Sequence, residues 1–259
     1  MVRLTSKLAV LLSIALLCTI AHAQQIGYGS AQTLPVVAKT SSYTSTVFIH
    51  NPGSSPITVN FTFQGASTSA TPGALSCGGI DIAAGSVVKV TLDALCPALN
   101  PGANFGALTT GFSGQFALYS RVETPSGNGF SVEGFNDTCC FDLHEVMGLR
   151  RQAAFPTYQS NCFIYNRDGR AGRVVVTLAS GDSQLIGSRI IDLQSNELIR
   201  LLDVFAELSA PAGDYDNVRA QFESITPFGG GAPVTYMAYC TVQNSTSFDA
   251  DFRIAKGHF

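Results

Sequence analysis

Ser42-Tyr43-Thr44-Ser45-Thr46-Val47-Phe48-Ile49-His50-Asn51 and Thr157-Tyr158-Gln159-Ser160-Asn161-Cys162-Phe163-Ile164-Tyr165-Asn166 read as two copies of one stretch, about 115 residues apart. Each ends at an Asn and runs into turn chemistry. The turns are Asn51-Pro52-Gly53-Ser54-Ser55-Pro56 in the first copy and Asn166-Arg167-Asp168-Gly169-Arg170 in the second. Asn and Gly tolerate a left-handed φ, and Pro pre-sets the first corner of a turn. An alternating strand follows in both, Ile57 to Phe63 and Gly172 to Ala179. The expectation is a β-hairpin in each copy. A repeat of this length constrains domain count and fold class together.

The match continues down the chain. Residues Ile80 to Leu95 pair with Ile190 to Phe205 at an offset of 110; each reads strand, polar turn, then a strand ending in Leu-Asp. Phe116-Ala117-Leu118-Tyr119 pairs with Tyr236-Met237-Ala238-Tyr239. Final strands are expected at Phe130 to Glu133 and Phe248 to Ile254, and one helical turn near Asp203 to Leu208. About seven short strands per copy, separated by turn signals, is the pattern of an immunoglobulin-like sandwich. The expected fold is all-β: two tandem immunoglobulin-like β-sandwich domains from an internal duplication, over residues 24-135 and 156-259. A single larger sandwich is the rival. Residues 136-155, with the adjacent Cys139 and Cys140, form an interdomain segment expected to include a strand; Thr33 to Lys39 is the matching lead-in.

The turn over Ile49 to Pro56, the strand–Gly–strand–Asp-x-Leu unit and the repeat together resemble tandem bacterial secreted sandwiches of immunoglobulin or fibronectin type. The resemblance covers nearly all of the chain beyond its first 23 residues. It implies a surface, adhesive or assembly module.

Residues 1-23 read as a secretory signal peptide: Arg3 and Lys7 precede an apolar run from Leu8 to Ile20, and Ala21-His22-Ala23 offers a cleavage site between Ala23 and Gln24. No other stretch is long and apolar enough to span a bilayer. The expected location is therefore secreted or periplasmic, associated with the cell surface. Six cysteines then remain, Cys77, Cys96, Cys139, Cys140, Cys162 and Cys240. An even set in an oxidising compartment reads as disulfides. Zinc is the competing use, but there is no C-x-x-C pair and no His at ligand spacing. Cys162 and Cys240 align with Val47 and Ser120 of the first copy and are expected to bridge. The other four allow three connectivities, among which we favour crossing Cys77 and Cys96 to the Cys139-Cys140 pair.

The net charge of −3, with few charges before Phe135 and a cluster of arginines after Arg150, offers no basic surface for nucleic acid. Catalytic patterns are weak. Gly181-Asp182-Ser183 superficially looks like a hydrolase motif, but it follows a β-strand, where such a turn is ordinary. His50, His144 and His258 are scattered. Asp214 with Asp216, and Asp249 with Asp251, are acid pairs better read as solvated turn and strand residues than as a calcium site. No cofactor or metal is expected.

These features lead to a non-enzymatic structural or adhesive protein of a cell-surface or extracellular assembly. Its expected partners are other extracellular proteins or further copies of itself, with no nucleic acid and no membrane span. The alternative is a module binding glycan or protein through sandwich-end loops. A third reading, an enzyme, would use His144, Glu145 and Arg150 at the domain junction.

Overall fold

The computed structural model describes residues 27–111, 113–136, 143–152, 154, 157–225, 233–247 and 250–257. The expected signal peptide, Cys139, Cys140, Asp249 and His258 lie outside them. The described chain is almost entirely antiparallel β. The first half runs β1 (Gln32–Lys39), β2 (Thr44–His50), β3 (Ile57–Gly65), β4 (Gly73–Ile82), β5 (Val87–Thr91), the single helical turn α1 (Leu92–Leu95), β6 (Asn104–Thr110), β7 (Ala117–Glu123), β8 (Gly129–Glu133) and β9 (Phe135–Asn136). The second runs β10 (Leu143–Arg151), β11 (Tyr158–Asn166), β12 (Gly172–Ala179), β13 (Leu185–Leu193), β14 (Leu198–Leu201), the turn α2 (Val204–Glu207), β15 (Tyr215–Ile225), β16 (Tyr236–Asn244), β17 (Ala250–Ile254) and β18 (Lys256–Gly257).

Strand order is the same in both halves. In the first, β4-β3-β6-β1-β9 and β5-β2-β7-β8 are joined where β1 turns into β2, at the Lys39–Thr44 pair, and by the Gly29–Phe116 bridge ahead of β1 and β7. In the second, β13-β12-β15-β10-β18 and β14-β11-β16-β17 are separate sheets. Even an irregularity recurs: β1 shifts register against β6 between Leu34 and Val37, and β10 shifts against β15 between Val146 and Leu149. In β3 and β12 the alternating residues Val59, Phe61, Phe63 and Val174, Val176, Leu178 are buried, and the two sheets of each half share an apolar core. Burial of this kind stabilises by roughly 25 cal/mol per Å².

Three sequence expectations are corrected. The segments β2 and β3 do not form a hairpin, nor do β11 and β12: β2 pairs with β5 and β7, whereas β3 pairs with β4 and β6. The Asn51 and Asn166 turns carry the chain from one sheet to the other. Residues 80–95 are no hairpin either, since β4 and β5 belong to different sheets, and the pairing of His50 with Val87 and of Tyr165 with Leu198 makes the offset there 111. A one-residue slip in a strand exchanges its two faces. Finally, the sequence pairs Val218 to Phe222, with Pro233 to Val242, against Gly114 to Val122, but Val218 to Phe222 lies in β15, the counterpart of β6. The helical turn expected near Asp203 is α2, capped by the Asp203 carboxylate accepting from Ala206 N, and α1 is its unanticipated counterpart.

Candidate functional site

β11 and β16 break the period-two rule. Ser160 to Asn166 and Tyr236 to Val242 are buried without interruption. One face of these strands, with Cys162, Ile164, Ala238 and Cys240, belongs to the core of the second half. The other face, with Phe163, Tyr165, Met237 and Tyr239, joins the core of the first half. The β14-β11-β16-β17 sheet thus lays its outer face on the open end of the first half, against Val36 and Ala38 of β1, Phe105 of β6 and Phe130 of β8.

Aromatic contacts and a few directed bonds fix this junction. Phe163 stacks on Tyr239 with ring centroids 4.7 Å apart and lies 5.6 Å from Phe105. Phe130 stacks on Phe252 at 5.8 Å, and the Arg200 guanidinium sits 5.2 Å over Phe105. Tyr239 Oη donates to the Pro35 carbonyl at 2.9 Å, and Gln243 Nε2 donates to Tyr43 Oη at 2.6 Å. Burial raises the Tyr239 and Tyr165 phenols above their ordinary range, and raises Tyr43 against the pull of the Gln243 amide.

Each half also presents the surface that its sibling hides. On the first half, the outer face of β5-β2-β7-β8 carries the Phe48–Tyr119 stack, centroids 4.6 Å apart, with Lys89 Nζ 5.7 Å over Phe48. Val87 beside it is 61% exposed. This shallow depression has a volume of about 400 Å³. His50 closes one side, accepting or donating to Tyr28 Oη at 2.9 Å. On the second half, the open end of the sandwich-like pair of sheets is a polar cleft of about 570 Å³ lined by Arg150, Tyr158, Asp216, Asp251 and Arg253. Arg150 lies 3.9 Å from Asp216 and 4.1 Å over the Tyr158 ring; Arg253 pairs with Asp251 at 2.7 Å. Arg253 Nη1 also donates to the carbonyls of Met147 and Gly148, pinning the β10 irregularity, where Gly148 has φ +76°.

The bridge between Cys162 and Cys240 closes between directly paired residues of β11 and β16. Val47 and Ser120 form the corresponding pair of β2 and β7, as the sequence alignment of these four residues has it. Cys77 bonds to Cys96, which overturns the crossed arrangement with Cys139 and Cys140. The physical reason is the crossover: β4 ends on one sheet and the chain returns through β5 and α1 on the other, so Cys77 and Cys96 meet with Cα atoms 4.3 Å apart and tie the sheets together.

His144, Glu145 and Arg150 are not brought together. The His144 ring is buried edge-on to Tyr236, 4.9 Å between centroids. Glu145 points the other way along β10, to Arg219 at 3.1 Å and Gln221 at 2.6 Å. Arg150 belongs to the cleft at the far end of the strand. Asp182 accepts from Ser180 Oγ in the turn between β12 and β13, and Ser183 adopts φ +67° there. Among the described residues no three of His, Cys, Asp and Glu converge as a metal site, and no helix is long and apolar enough to cross a membrane.

Of these surfaces the sequence singles out Arg150, Asp216 and Asp251 of the polar cleft, and for other roles; it does not single out the aromatic junction or the Phe48–Tyr119 face. A signal existed: the apolar run Cys162-Phe163-Ile164-Tyr165 lacks alternation, as strands buried on both faces do.

Comparison with protein-family models and with curated proteins gives no match. Among solved structures the chain is similar to a Bacteroides uniformis beta-glucuronidase at 12% identity, over 84% of this chain and 25% of that one, with a TM-score of 0.18. It is similar also to a beta-glucuronidase from glycoside hydrolase family 2 at 9% identity, over 89% of this chain and 24% of that one, with a TM-score of 0.16. The chain spans about a quarter of the length of each.

Proposed function

We propose that the chain is an internal duplication of an immunoglobulin-like sandwich and serves, outside the cytoplasm, as a non-enzymatic structural or adhesive component of an extracellular or cell-surface assembly. The topology supports the fold assignment: in each half the turn at Asn51 or Asn166 carries the chain from one sheet to the other, and the two halves repeat one strand order. The two disulfides fit an oxidising environment. The second unit of this reading takes in β10 from the expected interdomain segment, since β10 pairs with β15 and β18, and the apolar junction joins it to the first.

The observation that carries the functional reading is the way the halves join. One sandwich presents the outer face of a sheet, the other an open end, and the union buries Phe163, Tyr165 and Tyr239. A module that mates sheet face to sandwich end is suited to building larger structures. The test is sedimentation velocity and electron microscopy of the chain from Gln24 onward. The expected result is concentration-dependent oligomers; a monomer at every concentration and ionic strength would remove the assembly reading.

A second reading draws on the polar cleft of Arg150, Tyr158, Asp216, Asp251 and Arg253. Ion pairs flanking a half-buried tyrosine ring are suited to a polar solute such as a glycan. Glycan-array screening with Asp216→Ala as control distinguishes it: silence for both proteins removes it.

A further inference from the structure

Strand pairing sets each residue of one half against its counterpart in the other, and the correspondence extends to the surfaces. Phe48, Tyr119, Lys89 and Val87 occupy the places of Phe163, Tyr239, Arg200 and Leu198. In the second half that face is buried against the first; in the first half it faces solvent. The open end that receives it comprises Val36, Ala38, Tyr43, Phe105 and Phe130. Its counterparts are Gly148, Arg150, Tyr158, the β15 irregularity at Asp216 and Asp251, and these line the polar cleft. The molecule therefore carries one mated pair of surfaces inside and one copy of each partner surface outside.

We propose that the chain binds a second copy of itself head to tail, the outer face of β5-β2-β7-β8 of one copy docking on the Arg150–Asp216–Asp251 cleft of the next. The proposal rests on the assembly reading above and names its surfaces. Transposing the internal contacts shows their chemistry. Arg200 lies over Phe105 within the chain; between copies Lys89 meets Asp216, an ion pair in place of a cation over a ring. Gln243 donates to Tyr43 Oη; between copies Glu123 accepts from Tyr158 Oη. Phe252 stacks on Phe130; between copies Ser131 donates to Asp251. Tyr239 donates to the Pro35 carbonyl; between copies Tyr119 donates to that of Met147.

Charge agrees with this match. The cleft carries Arg150 and Arg253 against Asp216 and Asp251, and the face carries Lys89 and Arg121 against Glu123 and Glu133. Neither surface repels the other. Around the Phe48–Tyr119 stack the contact is polar, so it is reversible and weakens with salt, unlike the apolar internal junction. Because face and end are different surfaces, the contact is heterologous, and repeating it gives an open chain of copies instead of a closed dimer.

The experiment is sedimentation velocity on the chain from Gln24 onward and on two charge-reversed variants, Lys89→Asp and Asp216→Lys. Lys89 is exposed and the Asp216 side chain is 82% exposed, so both variants keep the fold, which circular dichroism verifies. Each variant alone is expected to associate about tenfold more weakly or less, since its reversed group faces a like charge. Mixing them restores chains, because each surface then finds an opposite charge. Oligomers that form equally in both variants would overturn the named surfaces while leaving the assembly reading in place. A wild-type monomer under all conditions would overturn both. A monomer that binds a soluble glycan in the cleft would assign that cleft to ligand binding.

Discussion

Asn51 and Asn166 hold the same position in the two halves and make the same bonds. Asn51 Nδ2 donates to the carbonyls of Ser55 at 2.8 Å and of Ile82 and Ala83 at 3.2 Å, while its Oδ1 accepts from Gly53 N at 2.9 Å. Asn166 Nδ2 donates to the carbonyls of Arg170 and Gln194, each at 2.8 Å, and its Oδ1 accepts from Asp168 N at 2.9 Å. Both side chains are fully buried. The amide closes the turn after β2 or β11 and ties it to the end of β4 or β13, which fixes the crossover between sheets.

Replacing either Asn by Ala removes a fully buried amide and the bonds by which it closes the turn and holds the end of the neighbouring strand, so each change should cost about 1–3 kcal/mol. Asn→Asp at the same site keeps the shape but turns an acceptor toward acceptors, and should be at least as damaging. Urea unfolding of the four variants measures this. Equal stability of Asn166→Asp and wild type would show that the amide is not what holds the crossover.

The disulfides predict a graft. Replacing the Cys162–Cys240 pair with Val and Ser, the residues of the first half, should cost about 4 kcal/mol in the chain-entropy account, and removing Cys77–Cys96, with its shorter loop, about 3 kcal/mol. Conversely, Val47→Cys with Ser120→Cys should form a bridge without reshaping the strands, because Val47 and Ser120 are directly paired. The Ser120 hydroxyl is buried without a hydrogen-bond partner among the described residues, so its removal costs little. Mass spectrometry before and after reduction checks closure; free thiols in the folded double variant would contradict the paired register.

How much of this the sequence discloses depends on what each residue must do locally. The repeat, the alternation of Val59-Phe61-Phe63 and Val174-Val176-Leu178, and the alignment of Cys162 and Cys240 with Val47 and Ser120 are legible because strands impose period two on their own residues. The crossover reads as a hairpin in the sequence because Asn-Pro-x-Ser-x-Pro chemistry makes a turn without stating which sheet receives the next strand. That choice is made by the Asn51 amide reaching Ile82 and Ala83, a contact between distant residues. β6 is not legible through the repeat because its counterpart β15 is longer and shifts register against β10 near Asp216. The junction was invisible for a different reason: Phe48 and Phe163 are the same residue in matched strands, and only the packing of one half on the other buries the second.

That pair permits a direct measurement of the junction. Phe163 and Phe48 each stack on a Tyr, at 4.7 and 4.6 Å, but Phe163 is 6% exposed and Phe48 is half-buried. Phe163→Ala should cost about 3–5 kcal/mol, the loss of a buried aromatic, and Phe48→Ala about 1–2 kcal/mol. Chemical unfolding of Phe163→Ala should also show the halves melting less cooperatively, seen as a lower slope against denaturant. Equal costs at the two positions would mean the halves do not support one another.

The tyrosines of the junction give it a dependence on pH. Burial raises Tyr239 and Tyr165 well above the ordinary phenol value of about 10, and raises Tyr43 as well. A raised folded value means that the folded chain keeps a proton the unfolded chain releases. The stability this represents is complete below pH of about 10 and is lost as pH rises from there through the folded values. Urea midpoints should therefore hold steady toward pH 9, as far as these groups decide them, and fall beyond about 10. Tyr239→Phe removes the bond to the Pro35 carbonyl, which costs about 1 kcal/mol at neutral pH. The same variant removes one of the three phenols, so its stability should decline less steeply in alkali than that of the wild type. Parallel alkaline declines would place the sensitivity in groups outside the junction.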